Sequence, residues 1–439
     1  MKICLISNLY PPYARGGAEQ VVKNTVEGLA ARGHEVVVIT ARPLFASLEN
    51  LSGQQDCFAS RAALPTGRQA AGRSLAMTEM GAKIYRFYPL NLFFYGHDFK
   101  YPAWLRFFWH LLDVFNFHSF WRVRRILKKE KPDVVHTHNL KGLGYLIPLA
   151  IRSLGLRHAH TLHDVQLVEP SGIIIKGAEN QWPYNFFLRK WYEKICRVLF
   201  GSPEVVISPS NFLLGFYESR GFFSRSTKVV VPNPVIGQGT VTARLEHGHE
   251  VSGGVRSEDG GKFNFLYLGQ IEEHKGVLFL IRAFKKERSF ATAQDDSRFH
   301  IVGAGSKLAE AKRLAEDCPQ IIFHGKVDRA QLPRIFSQTD MAIVPSLCYE
   351  NSPTVIFESF SFAVPVLASS IEGVAELIKN NENGLTFEAG NEAALIAKMS
   401  WCARHQAEIT AMRPAALKSI EGRGLDAYLD KLLNLCYNE

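Results

Sequence analysis

The sequence predicts an α/β fold of two doubly wound halves. Apolar runs of strand length alternate with helical periodicity along the chain, and the alternation begins afresh after an irregular stretch at Ile236–Lys262. Length agrees, since 439 residues exceed what one core ordinarily encloses.

The first unit sets the pattern. "KICLIS" (2–7) reads as a strand, a glycine-containing loop follows, and Val22, Val26, Leu29 and Ala30 share one face of a helix that stops at Gly33 before the strand "EVVVIT" (35–40). This is a βαβ unit, which implies a parallel sheet covered by helices. Further strands are predicted at 82–88, 133–138, 156–162, 204–208 and 228–232. The second half repeats the rhythm with strands at 263–269, 299–303, 321–325, 340–346 and 365–370. Pro43–Thr78, Ile236–Lys262 and Glu287–Ser297 are rich in Gly, Ser, Ala, Gln and Arg and lack periodicity, so they read as surface insertions. The expected domains are 1–235 with an insertion at 43–78, a linker at 236–262, 263–412, and a helical tail at 413–439 that packs back on the first half.

Composition narrows the class. With 46% hydrophobic and 21% charged residues, the chain is that of a soluble globular protein. A net charge of +9 favours an anionic partner. Seven scattered cysteines without a Cys-x-x-Cys pair fit a reducing, cytoplasmic setting and argue against a disulfide framework or thiolate zinc site. The first apolar run is too short for a signal peptide, and "YLIPLAI" (145–151) is closed by Arg152 before it could span a bilayer.

Three loops carry candidate chemistry. In "YPPYARGGAEQ" (10–20), Gly16 and Gly17 allow close backbone approach ahead of a helix N-terminus, which attracts anions; a plain tight turn would also need glycine. In "LGQIEEHKG" (268–276), Lys275 stands near a helix start as a point charge suited to phosphate. In "YENSPTVIFESFSFAVPV" (349–366), Ser352 is a good N-cap and Pro353 a good first helical residue, leaving the amides of Thr354 and Val355 to hold an anion such as a diphosphate. Glu350 then lies just outside the helix and Glu358 about a turn and a half inside it. The two carboxylates can reach different parts of one ligand.

The last segment, within "PSLCYENSPTVIFESFSFAVPVLASSIEGVAELI" (345–378) and followed by "NGL" at 383–385, resembles the E-x7-E block of retaining GT-B glycosyltransferases of family 4. "NLYPP…GGAE", "DVVHTHN", "VVISPSNF", "VPNPV", "LGQIEEHKG" and "IVGAG" follow the same order, so the resemblance covers most of the chain. It implies a GT-B architecture, two Rossmann-like domains facing a cleft, and transfer of a sugar from a nucleotide diphosphate donor such as a UDP- or GDP-sugar to a glycan, lipid-linked or small-molecule hydroxyl. It also implies roles: Glu358 on ribose, Glu350 on the sugar, Lys275 and the amides behind Ser352 on the diphosphate, Gly16 and Gly17 closing over the phosphates, and His138 beside the sugar. His163 and Asp164 would lie near acceptor or sugar, and no metal or other cofactor is required. Gln270 departs from the arginine many members carry there, which leaves open a non-catalytic binding protein of the same shape.

Two other readings stand beside this one. His136, His138, His160 and His163 could serve a metal-dependent hydrolase, because an H-x-H pair on a strand projects to one side. The stretch 101–132 is dense in aromatics and carries six basic residues against one acid between 122 and 132. A helix at about 103–131 could therefore lie on an anionic membrane, or serve as a core helix with a solvated basic end. No recognition motif for nucleic acid accompanies the charge.

Overall fold

Parallel strands in two sheets position everything that follows. The computed structural model describes residues 1–14, 16–44, 75–79, 81–182, 184–235, 262–290 and 297–437, so most of each irregular segment lies outside the described residues. The first sheet contains β1 (Lys2–Ile6), β2 (Glu35–Ala41), β3 (Leu75–Glu79), β4 (Ala82–Phe87), β5 (Val134–Thr137), β6 (Arg157–Thr161), β7 (Val205–Ser208) and β8 (Thr227–Val230). Its order is β3-β4-β2-β1-β5-β6-β7-β8, and every pair is parallel except β3 with β4. The second sheet contains β9 (Asn264–Leu268), β10 (Arg298–Val302), β11 (Ile321–Gly325), β12 (Met341–Val344), β13 (Val366–Ser369) and β14 (Gly384–Phe387). Its order is β11-β10-β9-β12-β13-β14, parallel throughout.

Both sheets are buried on two faces, which is why their strands read as unbroken apolar runs. Val123, Ile126, Ile147 and Phe200 cover one face of the first sheet, while Val22, Val26, Leu429 and Leu432 cover the other. The second sheet is enclosed in the same way, with Phe284 and Leu395 on one side and Phe357 and Phe360 on the other. Strand order reverses between β1 and β5 in the first sheet and between β9 and β12 in the second. Such a switch point opens a crevice at the carboxyl edge of a parallel sheet, where ligands bind.

Two strands differ from the sequence reading. β3 lies within the stretch read as an insertion and pairs antiparallel along the edge of β4. β14 is only four residues long and joins beside β13, too short for its own periodic signal. In addition, the helix Val277–Phe290 runs into the segment that begins at Glu287.

The chain crosses between the halves twice, side by side. Val235 pairs with Gly424, and the Val235 amide donates to the Arg423 carbonyl at 2.8 Å. The expected boundary at 413 falls inside the helix Gln406–Lys418, which stays on the second half through Ala416 and an Arg413–Asp340 ion pair of 3.4 Å. Only the helix Leu425–Leu432 and the π-helical turn Leu433–Tyr437 lie on the first half, against Gly17–Ala31. Arg32 secures them through Asp430 at 2.6 Å and Asp426 at 3.0 Å.

Candidate functional site: a charged cleft between two sheet edges

The loops after β1, β9 and β12 and the residues just beyond β6 meet in a cleft of about 690 Å³ lined by both halves. Gly16, Gly17 and His163 come from the first half, and Gln270, Lys275, Glu350, Ser352–Val355 and Glu358 from the second. The donor residues expected from sequence are thus brought together.

Close backbone packing sets this arrangement. Gly276 has φ of +76°, and a Cβ there would sit 1.9 Å from the Pro345 carbonyl oxygen, so only glycine lets the β9 loop press against the end of β12. The neighbouring Lys275 ammonium thereby meets the Glu350 carboxylate at 2.6 Å, and Ser346 Oγ donates to the same oxygen at 2.9 Å. Burial, the largest influence, works against the ammonium, but the Glu350 charge, the neighbouring Cys348 and the hydrogen bond to Glu350 together outweigh it and the Lys275 pKa is raised. A cation held beside a carboxylate at a helix end can take a phosphate once the carboxylate turns to another partner.

The helix Thr354–Ser361 differs in one detail. Pro353, not Ser352, is the N-cap, with extended backbone, and Ser352 Oγ is buried without a hydrogen-bond partner. The φ of Pro353, −64°, would suit a helix, but its ψ of 121° is extended, so the helix begins one residue later than a serine cap would start it. The Thr354 and Val355 amides remain the first of the helix and face no intrahelical acceptor. Glu358, one turn on, pairs with Arg329 at 3.3 Å; burial raises its pKa and Arg329 opposes the shift.

The halves touch across the cleft. A Cβ on Gly17 would lie 3.0 Å from Thr354 Cγ2, so glycine there lets the first helix of one half approach the helix Thr354–Ser361 of the other. Asn351 Nδ2 donates to the His163 carbonyl at 2.7 Å, and Tyr349 Oη to Glu179 at 2.8 Å. Residues 174–176 run beside 347–349, with the Lys176 amide donating to Leu347 and the Tyr349 amide to Ile174, each at 2.9 Å.

One histidine of the first half, His163, reaches the cleft lining. His138 is fully buried and its Nδ1 is 3.0 Å from His163 Nε2, so His163 lines the cleft while His138 stands behind it. His138 Nε2 has no partner. Burial lowers the pKa of His163 to about 4 and that of His138 well below its usual value, so both imidazoles are neutral. Asp164 lies beside His163, outside the cleft lining, accepting the Gln166 amide at 2.8 Å and Asn139 Nδ2 at 3.3 Å; burial raises its pKa to about 6.

The four-histidine metal reading is corrected by these contacts. Both ring nitrogens of His136 are engaged, Nδ1 with Tyr437 Oη and Nε2 with Thr161 Oγ1, each at 2.7 Å. His160 Nδ1 bonds Thr137 Oγ1 at 2.9 Å and its ring packs on Phe200, with side chains that alternate to the other sheet face from His136 and His138. Strand pleating separates what sequence proximity suggested. Among the described residues no group of three or more His, Cys, Asp or Glu is arranged to hold a metal ion.

Sequence reasoning missed Arg329 and Asn351 in the cleft and Tyr437 beneath the histidines. Arg329 follows β11 by four residues, at a carboxyl edge where a ligand-facing residue could be suspected, whereas nothing in the tail sequence signals that Tyr437 reaches His136.

Two doubly wound domains whose switch points face one cleft, with a lysine, a helix N-terminus and two spaced glutamates, define a GT-B nucleotide-sugar glycosyltransferase. The chain belongs to glycosyltransferase family 4: residues 15–236 match "Glycosyltransferase Family 4" and residues 262–405 match "Glycosyl transferases group 1". It is 23% identical over 380 residues to a 42.6 kDa protein of the cps region of Klebsiella pneumoniae, covering 86% of this chain and 87% of that one. It is 26% identical over 280 residues to the Escherichia coli UDP-Gal:alpha-D-GlcNAc-diphosphoundecaprenol alpha-1,3-galactosyltransferase, covering 60% and 64% of the two chains. The fold matches sucrose-phosphate synthase from Thermosynechococcus elongatus (TM-score 0.68, 18% identity, 99% and 98% covered). It also matches Anabaena HepE in complex with UDP-glucose (TM-score 0.64, 14% identity, 100% of each).

Proposed function

We propose that this glycosyltransferase retains anomeric configuration, takes a UDP- or GDP-sugar as donor, and lengthens a glycan or lipid-linked acceptor at the cytoplasmic face of a membrane. The observation that carries the donor reading is the convergence of Lys275, Glu350, the Thr354–Ser361 helix start and Glu358 on one cleft that both halves line. In the proposed complex, Glu358 accepts from ribose hydroxyls, Glu350 turns from Lys275 to the sugar, and Lys275 with the Thr354 and Val355 amides offsets the charge of the departing diphosphate. Gly16 and Gly17 approach the phosphates from the other side, and His138 and His163 position the sugar and the incoming hydroxyl. Closing the cleft excludes water and favours transfer over hydrolysis. UDP is the first base to test, because HepE is solved with UDP-glucose and the E. coli relative is named for UDP-Gal.

Support for the membrane comes from the helix Ala103–Val114, where Trp104, Phe107, Phe108 and Leu111 are exposed, and from the basic end of Phe117–Glu130. No helix among the described residues is long and apolar enough to cross a membrane, so contact would be peripheral. The six described cysteines are free and buried thiols, in keeping with a reducing compartment.

Calorimetry with UDP, GDP and ADP tests the donor reading. One nucleoside diphosphate is expected to bind, and Glu358→Ala should weaken it about tenfold or more, the loss of hydrogen bonds to a charged acceptor. Unchanged affinity in that variant would remove Glu358 from the ribose.

A further inference from the structure

We infer that a second helix, Phe187–Phe200, forms with Phe117–Glu130 a single face that docks on an anionic lipid bilayer, and that the acceptor is therefore anchored in that bilayer; the acceptor part rests on the transferase reading above. The helix is amphipathic in an unusual sense. Tyr192, Ile195, Cys196 and Leu199 pack inward on the first sheet, as an ordinary covering helix would. Its outward stripe is apolar too: Phe187, Trp191 and Val198 are 59%, 59% and 66% exposed, with Lys194 between them and its ammonium over the Trp191 ring at 5.6 Å. Lys190, Lys194, Arg189 and Arg197 face a single acid, Glu193, within the helix.

Phe117–Glu130 repeats the design. Phe117 and Trp121, 64% and 61% exposed, are followed one turn later by Arg125 and then Lys128 on the same outward stripe. The two helices lie on the same face of the sheet with Ile147–Arg152 between them. Arg124 Nε donates to Ser153 Oγ at 3.0 Å, and Arg152 donates to the Phe200 and Leu199 carbonyls at 2.6 and 2.8 Å, so the face is continuous.

Topology then aims this face at the cleft. Phe187–Phe200 follows β6 and Phe117–Glu130 leads into β5, so both run antiparallel to the strands and begin at the carboxyl edge where the cleft opens. Their aromatic halves are the N-terminal halves. The segment joining β6 to Phe187 leaves the cleft at His163, pairs with the second half at 174–176, and carries Trp182, 81% exposed, before the helix starts. Exposed tryptophans favour the bilayer interface, and each basic residue at an anionic surface strengthens binding about fivefold. Such a face would hold the cleft edge against the headgroups, where a hydroxyl carried by a lipid-linked molecule is presented.

The test is flotation of the intact chain, without donor, on phosphatidylcholine vesicles with or without phosphatidylglycerol. Binding is expected only with the anionic lipid, and both Phe187→Ser/Trp191→Ser and Lys190→Glu/Lys194→Glu should weaken it about tenfold or more while nucleotide affinity stays unchanged. Absence of binding, or binding indifferent to both double variants, would overturn the role of Phe187–Phe200. Loss of a dimer by light scattering in these variants, with no vesicle binding, would assign the face to a second copy instead. Failure of the transferase reading would appear separately, as absence of nucleotide binding by the unaltered chain.

Discussion

The two walls of the cleft handle charge in opposite ways. On the wall proposed to hold the donor, Lys275 pairs with Glu350 and Arg329 with Glu358, the first pair mostly buried and the second more exposed. On the opposite wall, His138 and His163 are desolvated, neutral and bonded to one another. The difference fits the division of labour proposed above. A diphosphate leaving group brings charge that needs countercharge and amides, whereas a hydroxyl brings none and needs only shape and hydrogen bonds.

The largest way to break this comparison is Lys275→Ala. Losing the countercharge proposed for the leaving group should lower kcat by about 100-fold or more and weaken nucleoside diphosphate binding as well. Turnover within a few-fold of the unaltered enzyme would move the countercharge elsewhere, with Lys326 and Arg329 as the other cleft cations.

His138→Ala probes the other wall. Transfer should fall roughly tenfold or more while nucleotide affinity stays within about twofold, with circular dichroism confirming the fold. If affinity fell as far as in Lys275→Ala, the two walls would not be functionally separate.

The smallest effect is on stability, and it sharpens the comparison through pH. Burial lowers His110, His136 and His158 to about 3, so these imidazoles stabilise the fold above pH 6.5 and that contribution is lost as pH falls from 6.5 toward 3. Asp113 and Asp164, raised by burial to about 7 and about 6, work the other way, their contribution fading as pH rises from 3.8 through those values. With His163 at about 4 as well, the histidines outnumber the two carboxylates. The melting temperature should therefore decline on acidification below pH 6. A flat profile between pH 6 and 4 would mean that the buried histidines are not held neutral.

Much of the donor wall was legible in the sequence because its parts are local. Gly276 and Lys275 are adjacent, and Glu350, Pro353 and Glu358 lie within one loop and one helix, so spacing alone places them. The cap lies one residue later than the serine because Pro353 keeps an extended ψ, which its favourable φ does not reveal in sequence. The histidine wall was less legible. The H-x-H pair on one strand and His160 and His163 on the next suggested one cluster, but pleating sent His160, with His158, to Thr137 and left His136 to a tyrosine three hundred residues away in sequence.

By itself, the sequence determined the two doubly wound halves, since buried parallel strands must be apolar on both faces and helices between them must be periodic. It also determined which residues could meet a diphosphate, since helix starts and glycine turns are local. Only the tertiary structure decided which histidines meet, that Tyr437 returns beneath them, and that two helices with outward aromatic residues cover the same face of the first sheet. The physical reason is range. Backbone propensity acts over a few residues, whereas pairing, sheet order and helix neighbours are set by long-range burial that no short window of sequence contains.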